Sequence, residues 1–227
     1  MPELTIPRGL NGPADSANGG IVSGRLAAFL DTQGPVTVTL RLPPPLDTPM
    51  PVEPSERGMT LFHNGDLVAV AERSDLVIEP VPAVSWGRAV EASERFDGFT
   101  DHPFPTCFGC GTERPDGLLC HAGAVDPADT SYVATTFVRR AEHPSDLSLT
   151  WAALDCAGGW SIGLVGRRAV LGRMTAHIVE VPEVGEQCVV VAQCDRWDGR
   201  KAYSRSTGYG RDGRVLGVTT ATWIELK

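Results

Sequence analysis

SDLSLTWAALDCAGGWSIG, residues 145–163, sets a single carboxylate, Asp155, deep within an apolar and small-residue stretch. Leu149, Ala152, Ala153 and Cys156 recur at helical spacing, with Ser145 or Ser148 as the expected N-cap. An ionised carboxyl in such surroundings costs free energy unless a partner holds it or it has chemistry to perform. A related pattern occurs earlier. SANGGIVSGRLAAFLD (16–31) offers Ser16 as cap and Ile21, Leu26, Phe29 and Leu30 as one apolar face. Both segments carry a glycine pair, Gly19-Gly20 in the first and Gly158-Gly159 in the second.

Strand signals follow each helix. VTVTLRL (36–42) alternates and is β-branched, and TLFHNGDLVAVAE (60–72) folds back at Asn64-Gly65, a hairpin dipeptide. Further strands are expected at TSYVATTFV (130–138) and RMTAHIVEV (173–181). Asp198-Gly199 and Asp212-Gly213 divide 187–226 into three more. A shorter helix, SWGRAVEASERF (85–96), joins the two parts. A helix followed by an antiparallel meander, stated twice, predicts duplication of one α+β unit. The first copy is shorter and has no evident strand before its helix.

Composition narrows the function classes. With 227 residues, 42% of them hydrophobic, the chain can bury a sizeable core and is not a disordered one. A formal net charge of −8 without a run of Lys or Arg argues against nucleic acid. No apolar run reaches bilayer length, so no membrane partner is expected. MPELTIPRGLNGP at the start lacks an apolar signal core, which argues against export. Six cysteines without such a signal read as thiols of a cytoplasmic protein rather than a disulfide frame.

Four stretches, NGPADSANGGIVSG, TLRLPPPLDTPMPVE, LTWAALDCAGGW and DGRVLGVTTATWI, together resemble the double-hotdog acyl-CoA thioesterases, including the bacterial acyl-CoA thioesterase II group. The resemblance extends over most of the chain. It implies an α+β fold, a tandem (double) hotdog in which antiparallel sheets each wrap around a central helix. The expected halves are 1–80 and 107–227, with 81–106 as linker. The implied reaction is hydrolysis of an acyl-CoA or acyl-carrier thioester, with coenzyme A entering only as part of the substrate and no separate cofactor. An internal pair is compatible with a further homodimer through sheet edges.

The resemblance also implies site residues. Asp155 falls where the thioesterase II group carries its helix aspartate and would serve as general base; otherwise it caps the Gly158-Gly159 bend or pairs with Arg167, Arg168 or Arg173. Asn18 stands where many hotdog enzymes carry His-Gly-Gly. Its amide would orient a thioester carbonyl or water, or simply cap the helix, a role open to Asp15 as well. Gly19, Gly20, Gly158 and Gly159 would let backbone approach the substrate. Arg200 and Lys201 would meet phosphates of coenzyme A, or else end a solvated hairpin. Two group features depart: Thr219, Thr220 and Thr222 stand where a Gln is expected, and Thr175 is a poor match for the hydroxyl residue. A non-catalytic acyl-thioester or apolar-ligand binding protein on the same scaffold is therefore the competing reading. A hydratase ranks behind both, since neither long helix contains a His.

FPTCFGCGTERPDGLLCHAG (104–123) contains Cys107-x2-Cys110, then Cys120 and His121. A metal set of Cys107, Cys110, Cys120 and His121, with His102 as a substitute, is weakened by its adjacent Cys-His pair. The favoured reading has no metal there, only a loop folded tightly by Gly109, Gly111 and Pro115.

Overall fold

The computed structural model describes residues 2–227, leaving Met1 outside the described residues. After β1 (Glu3–Leu4) the first long helix is α1 (Gly19–Ala27), extended by a 3-10 turn at Ala28–Leu30. Four strands follow: β2 (Val36–Leu40), β3 (Met50–Pro54), β4 (Gly58–His63) and β5 (Asp66–Arg73). Next come α2 (Trp86–Glu94), β6 (Gly123–Asp126) and β7 (Asp129–Val138). The chain then repeats the scheme with α3 (Ser148–Ser161), β8 (Ala169–Ile178), β9 (Gln187–Asp198), β10 (Lys201–Tyr209) and β11 (Val215–Glu225).

All strands join one antiparallel sheet of order β1-β3-β4-β5-β2-β8-β11-β10-β9-β7-β6. Read outward from the β2–β8 contact, both arms place the strands after the helix as first, fourth, third and second, then the strand before the helix. The two-residue β1 occupies in the first arm the place that β7 holds in the second. A strand missing from the sequence reading is thus present, too short to show alternation. Val38 lies opposite Met174 at the seam, and both are fully buried.

The expected serine caps are not found, while the alternative reading of Asn18 as the α1 cap is borne out. Ser16 does not start α1, because residues 10–18 form their own loop, closed by Asn18 N–H to Leu10 O at 2.9 Å and Gly12 N–H to Ser16 O at 3.0 Å. The helix begins after Asn18, whose Oδ1 accepts the Ile21 N–H at 3.0 Å. Neither Ser145 nor Ser148 caps α3. Ser148 is already helical, and Asp146 Oδ1 accepts its N–H at 2.9 Å. Every residue of α3 is buried, as expected of a helix apolar on all sides.

The two long helices touch through small residues. A Cβ on Gly20 would lie 2.6 Å from Ala152 Cα, and one on Gly24 2.6 Å from Ser148 Cα. Glycines one turn apart thus bring the α1 and α3 backbones together. α2 does more than join the two parts. Ala89 and Ala92 pack with Val125, Ala134, Val189 and Val191 in a second core on the other face of β7 and β9. That face would otherwise expose valines to water, which explains why β9 reads as a continuous apolar run.

Thr175 sits opposite Thr37 at the seam, their hydroxyls 2.8 Å apart. Strand alternation turns both away from the Val38–Met174 core. Thr175→Val leaves the Thr37 hydroxyl without its partner. The expected loss is about 1 kcal/mol, a fall in Tm of about 2–4 °C; an unchanged thermal melt would show that water replaces the bond.

Candidate functional site

A cavity of about 600 Å³ opens between the start of α1, the middle of α3 and the β8 and β11 strands. Its wall is mainly apolar, and Leu171, Trp160 and Trp223 are among the residues that line it. Asp155 belongs to that wall yet is almost wholly buried. Its Oδ2 accepts the Gly20 N–H at 3.0 Å, while Oδ1 has no hydrogen-bond partner among the described residues. Burial pushes this carboxyl up to about 7, against the opposing pull of the Gly20 N–H. Neither alternative for Asp155 is observed. It does not cap the Gly158-Gly159 bend, and it forms no salt bridge with Arg167, Arg168 or Arg173 among the described residues.

The α1 N-terminus completes one side of the cavity. Of its first donors, the Ile21 N–H is taken by the Asn18 cap and the Gly20 N–H by Asp155. Asn18 is 2% exposed, with Nδ2 3.7 Å from Cys107 Sγ and 3.8 Å from Cys156 Sγ. Gly19 reaches the wall as well; a Cβ there would lie 3.0 Å from Leu171 Cδ2 and 3.5 Å from Asp155 Oδ2.

Sulfur gathers at the same place. The Cys107, Cys110 and Cys156 Sγ atoms all lie within 4.8 Å of one another, and all three residues line the cavity. Hydrogen bonds from the Cys110 and Cys156 thiols, with help from the Cys110 and Gly109 N–H groups, hold Cys107 well below the ordinary thiol range. The same bonds push Cys156 up.

No family model matches the sequence, and no curated protein matches it either. Solved structures do match over nearly the whole chain. A hotdog-fold protein of unknown function from Alicyclobacillus acidocaldarius aligns with a TM-score of 0.64 at 13% identity, covering 99% of this chain and 92% of the other. The tesB protein of Mycobacterium avium subspecies paratuberculosis aligns at 0.60 and 13%, covering 96% and 91%. The acyl-CoA thioesterase II TesB2 of Mycobacterium marinum aligns at 0.56 and 12%, covering 93% and 90%. The chain has the hotdog fold. Identities this low carry the architecture and not the chemistry.

Within this hotdog framework the predicted residues separate. Asp155, Asn18, Gly19 and Gly159 meet at the cavity, together with Asp15. Gly20 reaches Asp155 through its N–H, but its α-carbon is packed against α3. Gly158 faces Ser204 and Ser206, where a Cβ would lie 3.0 and 2.9 Å from the hydroxyls, so it serves packing instead of the cavity wall. Arg200 lies outside the wall. It is exposed at the β9–β10 turn, with Nε and a terminal nitrogen donating to Glu225 O at 3.1 and 2.6 Å. Lys201 is exposed beside it. Thr175, Thr219, Thr220 and Thr222 also lie outside the wall.

The candidate set of Cys107, Cys110, Cys120 and His121, disfavoured from its spacing, does not assemble. Cys120 and His121 are not part of the sulfur cluster. His121 stacks on Phe96 with ring centroids 4.9 Å apart, and His102 turns Nε2 to the Cys110 carbonyl at 3.0 Å. Cys156 joins Cys107 and Cys110 instead. Spacing could not reveal it, because α3 brings it in from a distant part of the chain.

Proposed function

We propose that the chain is a tandem of two hotdog units whose shared cavity hydrolyses an acyl thioester, with Asp155 activating water. The mirrored strand order about the β2–β8 seam supports the tandem reading. The observation that carries the chemistry is the half-satisfied carboxyl: Oδ2 is anchored by the Gly20 N–H, and Oδ1 is left without a protein partner. Oδ1 is itself buried, so a water must enter beside it; a group fixed at one oxygen and unengaged at the other then has the lone pair to accept that water's proton. The mainly apolar wall suits an acyl chain.

In this reading the thioester carbonyl lies against the start of α1, where the helix dipole and the Gly19 N–H stabilise developing negative charge. Water gives its proton to Asp155 Oδ1 as its oxygen bonds to the carbonyl carbon. The tetrahedral adduct then breaks its C–S bond, and the proton passes to the leaving thiolate, giving a carboxylic acid and a free thiol. Asn18 keeps the helix start in place through its cap and does not itself touch the carbonyl. The fold shared with the acyl-CoA thioesterase II TesB2 of Mycobacterium marinum is in keeping with this reading.

The test is thiol release from acyl-CoA substrates of graded chain length. Release that saturates with substrate is expected. Absence of release across the panel overturns the hydrolase, and a raised Tm without release would assign a binding protein instead. Gly19→Ala gives a sharper check on carbonyl placement. The added methyl comes 3.0 Å from Leu171 Cδ2 and 3.2 Å from its Cβ, contacts relieved by a small shift of Leu171, so the fold survives, but it narrows the berth beside Asp155. A loss of kcat/KM of about 100-fold is expected, with Tm close to that of the parent; full activity would remove the carbonyl from the start of α1.

A further inference from the structure

We infer that Cys107, Cys110 and Cys156 form a binding site for a thiophilic divalent cation of the zinc type, set in the cavity wall with its fourth coordination position facing the cavity. Distances make the first argument. Zn–S bonds of about 2.3 Å at tetrahedral angles place the sulfurs about 3.8 Å apart. Cys107 Sγ and Cys156 Sγ are 3.8 Å apart, and Cys110 Sγ lies within 4.8 Å of both. The cluster thus needs only a small adjustment to take an ion at its centre.

Local backbone supplies the second argument. In Cys107-Phe108-Gly109-Cys110-Gly111 the chain doubles back tightly, the Gly111 N–H donating to Cys107 O at 2.8 Å. A Cβ on Gly111 would come 2.6 Å from that same oxygen, and one on Gly109 2.1 Å from Cys156 Sγ. Both glycines are therefore required for the loop to close around the third sulfur. This knuckle brings the Cys107 and Cys110 sulfurs together beside that of Cys156.

Asn18 is the third argument. Its Oδ1 is occupied by the helix cap, and its Nδ2 points between Cys107 and Cys156. Donors aimed at ligand sulfur are the outer-shell groups that tune a metal site. The start of α1 adds a favourable field for the single negative charge that three thiolates leave on a divalent ion. Binding exchanges three thiol protons for one cation, with no change in oxidation state. Asp155 is not among the ligands, so the site stands independently of the proposed hydrolysis.

The test is titration of the reduced, metal-free chain with cobalt(II), followed by zinc(II). Thiolate-to-cobalt charge-transfer absorption and the intense visible bands of four-coordinate cobalt are expected, saturating at one ion per chain and erased by one equivalent of zinc. Cys110→Ser should lose the charge-transfer band and Cys188→Ser should keep it. Asn18→Asp preserves the capping oxygen and removes the donors to sulfur; a fall in zinc affinity of about 10- to 100-fold is expected. Should the cysteine variants fail to fold, the parent protein decides alone. Zinc must shield Cys107, Cys110 and Cys156 from alkylation while leaving Cys194 reactive. No charge-transfer band in the parent, a band that survives Cys110→Ser, or a labelling pattern indifferent to zinc would each overturn the site. None of these readouts depends on turnover, so their failure is distinct from failure of the thioesterase assay.

Discussion

Asp155→Asn is expected to lower kcat for thiol release by about 100- to 10,000-fold, the range for loss of a positioned general base. KM should change little, because the amide has the carboxylate's shape and its oxygen can still accept the Gly20 N–H. The substituted chain should melt no lower than the parent. A neutral amide avoids the cost of burying a carboxylate whose second oxygen has no partner among the described residues. Loss of activity with a retained or raised Tm would separate catalysis from stability, as expected where a buried polar group is kept for its chemistry. Activity close to that of the parent would end the general-base assignment, whatever the cavity holds.

The second large effect is on stability. Gly20→Ala places a methyl 2.6 Å from both Ala152 Cα and Trp151 O, which are backbone atoms in a fully buried helix and cannot swing aside. About 3 kcal/mol of destabilisation is expected, the upper end for overpacking. That corresponds to a Tm lower by about 6–12 °C for a chain of this size. Gly87→Ala provides the opposite sign. Gly87 lies exposed in α2 with nothing within 4 Å of an added Cβ, and the change should stabilise by about 0.5 kcal/mol through helix propensity. Equal effects at the two positions in denaturant melts would show that the α1–α3 contact is looser than these distances imply.

Much of this was legible in the sequence where the signal is local. The Asn64-Gly65, Asp198-Gly199 and Asp212-Gly213 turns mark real hairpins, with Gly65, Gly199 and Gly213 all at positive φ. The short helix expected at 85–96 is α2, capped by Ser85, which accepts the Arg88 N–H. Ser16, Ser145 and Ser148 do not cap, because a serine near a helix start is only a frequent cap and the true start depends on where the preceding loop ends; Asn18, the other reading at α1, is the cap found there. In α1 that end is fixed by bonds from Asn18 and Gly12 within the 10–18 loop, which no periodicity reports.

Residue pattern alone therefore determined two long buried helices, the hairpins and a repeated order of elements, because each depends on neighbours a few positions away. It also singled out Asp155 as anomalous, since a lone carboxylate in an apolar helix is visible without coordinates. Tertiary structure decided what surrounds that carboxylate. The Gly20 N–H that anchors it, the Gly19 berth beside it and the meeting of Cys156 with Cys107 and Cys110 all arise where separate parts of the chain cross. Packing of α1 against α3 through Gly20 and Gly24 creates that crossing. Contacts between distant segments leave no spacing to read, so the chemistry of the cavity became visible only when the chain was folded.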